Sequence, residues 1–141
     1  MAKLYLALGS NIGARKANIL SALSFLNGVF GRYEAVSEII ETEACGFDGP
    51  AFLNCVARYE TRRRPGTILS ICKDIERRMG RTDQPQYAPD GSRIYHNRIV
   101  DIDILLYGDV RMDTPELTIP HPQVESRPFV RPLLEQVMKN D

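Results

Sequence analysis

The chain has no excess of charge of either sign, since 18 basic residues balance 18 acidic ones. That balance removes the long-range field that draws a protein to DNA, RNA or an anionic membrane, so any anion site must be local. Long apolar runs are missing as well. The stretch Leu4-Tyr5-Leu6-Ala7-Leu8 is too short for the apolar core of a signal peptide, and no later run reaches membrane-spanning length. The expectation is a cytoplasmic protein with neither nucleic acid nor membrane as partner. Cysteine is scarce: Cys45, Cys55 and Cys72 are odd in number and lack the close paired spacing of a zinc site or redox motif, which reads as reduced thiols. Repeats and low-complexity tracts are absent, which excludes solenoids and disordered arrays. Lysine occurs only at positions 3, 16, 73 and 139. The remaining basic residues are arginines, which suit phosphate or carboxylate recognition, although most are expected simply to solvate the surface.

What is present fits one domain, 1–141, long enough to bury a real core. Leu4 to Leu8 reads as a buried strand, and Gly9-Ser10-Asn11-Ile12-Gly13 as a turn and helix cap, because the dinucleotide and phosphate-loop fingerprints are both missing. Ile19, Leu23, Leu26 and Phe30 form one stripe of a helix that Gly31 can close. Tyr33 to Thr42 reads as a half-exposed strand, Glu43 to Ala51 as a loop, and Phe52 to Thr61 as another strand. Pro65 starts a second helix, striped by Ile68, Cys72, Ile75 and Met79 and ending at Gly80. From about 81 to 97 the chain turns polar and turn-rich with no apolar period, which reads as a structureless functional lid or a disordered insertion; the lid is the expectation carried forward. Beyond Asn97 the pattern predicts a strand, a Gly108-Asp109 turn, short strands near Val110–Met112 and Leu117–Ile119, and a helix from Phe129 to Met138. The order implies an α+β ferredoxin-like sandwich: an antiparallel sheet with helices on one face, plus a C-terminal hairpin and helix.

The chemistry concentrates in Ile99-Val100-Asp101-Ile102-Asp103-Ile104-Leu105-Leu106. The apolar residues read as a buried strand, yet two carboxylates sit two positions apart, where a period of two aims both at one face. An exposed strand face would account for an arbitrary Asp-x-Asp, but aspartate is depleted from strands. Like charges survive desolvation only with compensating positive charge, and a hard divalent cation, Mg²⁺ above all, suits two convergent aspartates. Water and substrate phosphate oxygens must complete its shell. Arg98 adds a fixed cation near the strand mouth. His121, between Pro120 and Pro122, either ends a strand or holds a ring rigidly for a phosphate or ribose. Lys73 and Glu76 are neighbours on the second helix, as a solvent pair or as part of a cleft.

In this order, Leu8-Gly9-Ser10-Asn11, Phe52-Leu53-Asn54, Ile75-Glu76 through Gly80-Arg81, Arg98 through Ile104, Pro120-His121-Pro122 and Arg127-Pro128-Phe129 span nearly the whole chain. Together they resemble the 6-hydroxymethyl-7,8-dihydropterin pyrophosphokinases of folate synthesis. The resemblance implies diphosphate transfer from ATP to the pterin hydroxymethyl group, with AMP released. It makes Asp101 and Asp103 ligands of two Mg²⁺ ions, and Arg81 and Arg98 phosphate clamps, these four forming the catalytic set. Lys73, Glu76, Ile104, Thr118 and His121 would line the ATP side. Phe52 and Phe129 would wall the pterin ring, Asn54 would read its edge, Thr42, Cys45 and Gly46 would supply backbone contacts, and Arg127 would close over it. Many members carry Trp-Gly-Pro before the clamp arginine, where this chain has Tyr95-His96-Asn97 and no tryptophan at all. Phe52 stands where tyrosine is frequent, and Asp83 where a second arginine is frequent. Tyr95 is then the candidate aromatic cover, and Arg93 the candidate replacement charge. Only ATP and the pterin are expected as partners, and the protein as a monomer. Two other readings remain at this point, a different metal-dependent nucleotidyl or phosphoryl transferase and a ferredoxin-like binding module.

Overall fold

The computed structural model describes residues 1–43, 50–80, 86–87, 93–94 and 99–138, the pairs 86–87 and 93–94 by backbone alone. In chain order the elements are β1 (Ala2–Ser10), α1 (Arg15–Phe30), β2 (Ala35–Val36), β3 (Ile40–Thr42), β4 (Phe52–Thr61), α2 (Pro65–Arg78), β5 (Gln86–Tyr87), β6 (Arg93–Ile94), β7 (Asp101–Tyr107), β8 (Met112–Asp113), β9 (Thr118–Ile119), α3 (Gln123–Ser126) and α4 (Val130–Met138).

The main sheet runs β2-β4-β1-β7, with β3 also paired to β4, and every pairing is antiparallel. Long central strands follow from composition: β1 and β4 carry apolar residues that pack on both faces. One face of the sheet carries Leu4, Leu6, Leu8, Cys55, Ala57, Tyr59, Ile102 and Ile104, packed with Ile19, Leu23 and Leu26 of α1 and Ile68, Cys72 and Ile75 of α2. The alternate residues Tyr5, Val56 and Leu105 face the other way, against Val130, Leu133, Leu134 and Val137 of α4. Two helices on one face of an antiparallel sheet is the expected α+β ferredoxin-like arrangement; that the C-terminal helix covers the opposite face was not anticipated. Full burial of each such leucine or isoleucine contributes about 1.5–3 kcal/mol.

The edges differ from the sequence reading in instructive ways. The single strand expected from Tyr33 to Thr42 is two short pieces, broken at Ser37. There the Ser37 N–H donates to the Val56 carbonyl at 2.8 Å, and the Ser37 hydroxyl accepts the Val56 N–H at 2.8 Å. A side chain replaces a backbone partner and interrupts the ladder. The stretch 81–97, expected to be structureless, contains the antiparallel pairs Gln86↔Ile94 and Tyr87↔Arg93. Two-residue strands carry too little apolar period to register in a sequence pattern. The Gly9–Gly13 segment is a turn, with Gly13 at φ 69°, but no side chain caps α1 at Ala14. Instead Asn18 reaches back from within the helix to Ile12 O at 2.8 Å and Ser10 Oγ at 3.2 Å. Asn11, 1% exposed, ties this turn to the carbonyl of Pro50 at 3.1 Å. Gly31 closes α1 as expected, donating its N–H to Asn27 O at 2.9 Å. The expected C-terminal hairpin is β8 and β9, paired Met112↔Ile119 and Asp113↔Thr118. The four-residue α3 was not anticipated, because one turn after Pro-His-Pro leaves no period to read.

Candidate active site

Asp101 and Asp103 lie on the edge strand β7, both half-buried, alternating with the buried Ile102 and Ile104. Register sets what surrounds them. Gly9 pairs with Asp101 on one side and with Asn54 on the other, and Asn54 pairs in turn with Ile40. Residues in antiparallel register share a face, so Asn54, Gly9 and Asp101 form one row across the sheet. Asn54 and Asp101 are then two strand spacings apart, about 10 Å. Ala7 occupies the corresponding place between Asp103 and Val56. The carboxylates therefore face neighbours with little or no side chain, which leaves an open floor on that face. At Gly9 a methyl would come within 3.1 Å of Asn54 Oδ1 and 3.4 Å of a Phe52 ring carbon. Glycine there keeps the amide and the ring in place. The Asn54 amide is further held by donating to Thr42 Oγ1 at 2.6 Å.

The electrostatics are those of a carboxylate set by burial first and by a neighbouring like charge second. Burial pushes the Asp103 carboxyl up to about 7, with the charge of Asp101 the next cause; a hydrogen bond from Gln123 and the charge of Arg127 pull the other way. Glu76 of α2 is 1% exposed, and its Oε2 accepts the backbone N–H of Ile102, between the two aspartates, at 2.7 Å. That bond fastens α2 to the outer edge of the acidic strand, so Glu76 is not half of an exposed pair with Lys73, which is half-buried. His121 is half-buried; its backbone N–H donates to Leu105 O at 2.9 Å, and its Nδ1 accepts the Gln123 N–H at 3.1 Å. An accepting Nδ1 leaves Nε2 as the protonated nitrogen of the neutral ring. Burial, and then the charge of Arg127, hold the His121 pKa below its ordinary value, against a pull from Asp101.

Several expected residues therefore share one region of the fold. Phe52, Asn54, Thr42, Asp101 and Asp103 lie on the α4-side face of the sheet, and Phe129, half-buried, packs against the α4 cluster. Arg127 is exposed, close enough for its charge to act on Asp103 and His121. Thr118 is half-buried in β9. Ile104 is different. Its side chain is 2% exposed and lies in the α1–α2 core, which leaves only its backbone for a ligand. Arg81, Arg98, Tyr95, Cys45 and Gly46, and the greater part of the expected lid, lie outside the described residues. Buried Gln123, bonded to Asp103, was missed by sequence reasoning; a lone glutamine after a proline gives no signal. The thiols of Cys55 and Cys72 are buried, and burial pushes both up to about 12. They are core residues rather than nucleophiles.

The fold thus brings a carboxylate pair, a histidine and an anchored amide to one side of an antiparallel sheet. Comparison with known proteins gives the family. The family described as 7,8-dihydro-6-hydroxymethylpterin-pyrophosphokinase matches residues 5–139, and the chain belongs to that family. Among its relatives, the 2-amino-4-hydroxy-6-hydroxymethyldihydropteridine pyrophosphokinase of Porphyromonas gingivalis is 42% identical over 97% of this chain and 91% of its own. Those of Aquifex aeolicus and Bacillus subtilis are 40% and 35% identical, over 96% and 93% of this chain and 80% and 75% of theirs. The resemblance read from the motifs is thereby shown, and the chain is a pyrophosphokinase of folate synthesis.

Proposed function

We propose that this enzyme transfers diphosphate from ATP to the hydroxymethyl oxygen of 6-hydroxymethyl-7,8-dihydropterin and releases AMP, with Mg²⁺ bound at Asp101 and Asp103. The observation that carries the reading is the row Asn54–Gly9–Asp101. It sets an amide suited to a pterin edge about 10 Å from a carboxylate pair, across a floor with no side chain. The donor set fits a hard divalent cation. Two acidic oxygen groups share one face of β7, and the proton affinity of Asp103 is raised there by burial first and by the like charge of Asp101 second, a cost that a bound cation would offset. The names of the relatives supply the pterin and the diphosphate transfer.

In the reaction, the hydroxymethyl oxygen forms a bond to the β-phosphorus of ATP and gives up its proton to solvent, the bond from that phosphorus to the α–β bridging oxygen breaks, and AMP leaves with the bridging oxygen. The cation, when bound, offsets phosphate charge. The chain's own residues position the two substrates, which is the larger part of phosphoryl-transfer catalysis. Asn54, fixed by Thr42, reads the pterin edge, with Phe52 and Phe129 as apolar walls. His121 offers an Nε2–H donor to the nucleotide from a backbone pinned to β7. Arg127 supplies positive charge at the same mouth, and Arg81 and Arg98 clamp the phosphates. The enzyme works as a cytoplasmic monomer. Among the described residues, no helix is long and apolar enough to cross a membrane.

One assay tests this. ATP, MgCl₂ and the hydroxymethyl pterin are combined, AMP is measured, and each component is omitted in turn. AMP is expected only from the complete mixture, and Asp101→Ala should reduce turnover at least ~100-fold, the scale of losing one preorganised charge partner. AMP formed without pterin, or near-parental turnover by the variant, would overturn the reading.

A further inference from the structure

Asp103 does not stand on its strand unaided. The Gln123 side-chain amide donates to Asp103 Oδ2 at 3.1 Å, and the backbone N–H of the same residue donates to His121 Nδ1 at 3.1 Å. Gln123 is 5% exposed and opens α3. The short helix is held on both sides: Arg127 N–H returns to Gln123 O at 3.0 Å, and Val124 is buried in the α4-side cluster. The amide therefore has a fixed platform and little room to change rotamer. A bond to one oxygen sets the rotation of the carboxylate plane and leaves the other oxygen for a ligand. The identity of the donor matters too. A glutamine orients a carboxylate without bringing charge, whereas a lysine or arginine here would neutralise the group and compete with a cation.

We propose that Gln123 is a positioning residue of the reaction, its side chain orienting the Asp103 carboxylate and its backbone N–H holding the His121 ring with the proton on Nε2. One buried residue thus sets both the cation side and the nucleotide side of the site. The proposal rests on the reading of Asp101 and Asp103 as cation ligands. Partners of this kind, behind the ligands of a metal, govern ligand orientation, and losing one typically lowers metal affinity about 10–100-fold.

The test uses the full chain and Gln123→Met, which keeps the length, the packing and the backbone N–H while removing the amide. Binding of Mn²⁺, as a paramagnetic substitute for Mg²⁺, is measured by electron paramagnetic resonance with the α,β-methylene analogue of ATP. Thermal denaturation of each protein without ligand is followed in parallel. Parental binding that weakens about 10–100-fold in Gln123→Met, in a variant that still unfolds cooperatively, is the expected result. A variant that loses thermal stability but binds Mn²⁺ as the parent does would show a merely structural role and overturn the proposal. If the parent itself binds no Mn²⁺ through Asp101 and Asp103, as judged against Asp101→Asn, the underlying reading falls, and the proposal with it. The nitrogen shifts of the His121 ring, assigned by comparison with His121→Gln, test the second half: an Nε2–H ring is expected, and an Nδ1–H ring overturns it.

Discussion

Asp103 is a carboxyl whose environment favours the proton. Burial and the neighbouring Asp101 push it up to about 7, well above the roughly 4 of an aspartate in an unfolded chain. A group that binds its proton more tightly when folded contributes stability that is complete below about pH 4 and is lost as pH rises through about 7. Without cation, the folded protein should therefore become less stable between pH 5.5 and pH 8 on account of this residue. His121, held below its ordinary pKa, acts in the opposite direction, so the clean measurement is a comparison of parent with Asp103→Asn at each pH. The variant should match or fall below the parent in melting temperature at low pH and exceed it at pH 8. A difference independent of pH would refute the assignment. The Asp-x-Asp pair was legible because carboxylates in a β-branched run break the local rule. Gln123 and the burial of Glu76 were not, since each depends on a partner from another element, Asp103 and the Ile102 backbone, that no local pattern announces.

At the scale of elements, legibility followed length. β1, β4 and the two long helices each repeat an apolar period several times, so Leu4 to Leu8, Phe52 to Thr61 and the stripe Ile68, Cys72, Ile75 were readable. β2 and β3 were merged because the interruption at Ser37 comes from a hydroxyl bonding across to Val56, a tertiary event. The anchoring of α4 is another such event. Arg58, 5% exposed, donates from Nη1 to the carbonyl of Val137 in the last turn of α4 at 2.7 Å and from Nε to Glu34 at 3.1 Å. A cation at a helix C-terminus satisfies an orphan carbonyl and complements the dipole. Arg58→Met should cost about 1.5–3 kcal/mol, the value of a hydrogen bond to a charged group, and speed amide exchange in the last turn of α4. Arg58 is six positions along β4 from Phe52, about 20 Å from the proposed pterin wall. KM for the pterin should accordingly stay at the parental value, measured beside the denaturation curve. A raised KM with unchanged stability would show that α4 is positioned by something other than this anchor.

At the scale of the whole molecule, stability and site pull against each other, and the two contributions can be separated by ligand. A chain of 141 residues has an unfolding entropy of about 0.3 kcal/mol/K near 60 °C. A ligand at a hundred times its dissociation constant, binding only the folded state, adds about 2.7 kcal/mol. The melting temperature should therefore rise about 9 °C when Mg²⁺ and the α,β-methylene analogue of ATP are supplied together at that ratio. The methylene bridge is needed because the α–β bond is the one proposed to break. If the carboxylate pair is where cation and triphosphate meet, replacing both aspartates with asparagine has two effects of opposite sign. The bare protein melts higher at pH 8, because the like-charge cost is gone, and the rise on adding Mg²⁺ and analogue nearly disappears. A general loosening of the fold would lower the bare melting temperature and leave a rise in place. Differential scanning fluorimetry with and without EDTA distinguishes these outcomes. A full rise in the double variant, or in the parent with EDTA present, would move nucleotide binding away from Asp101 and Asp103.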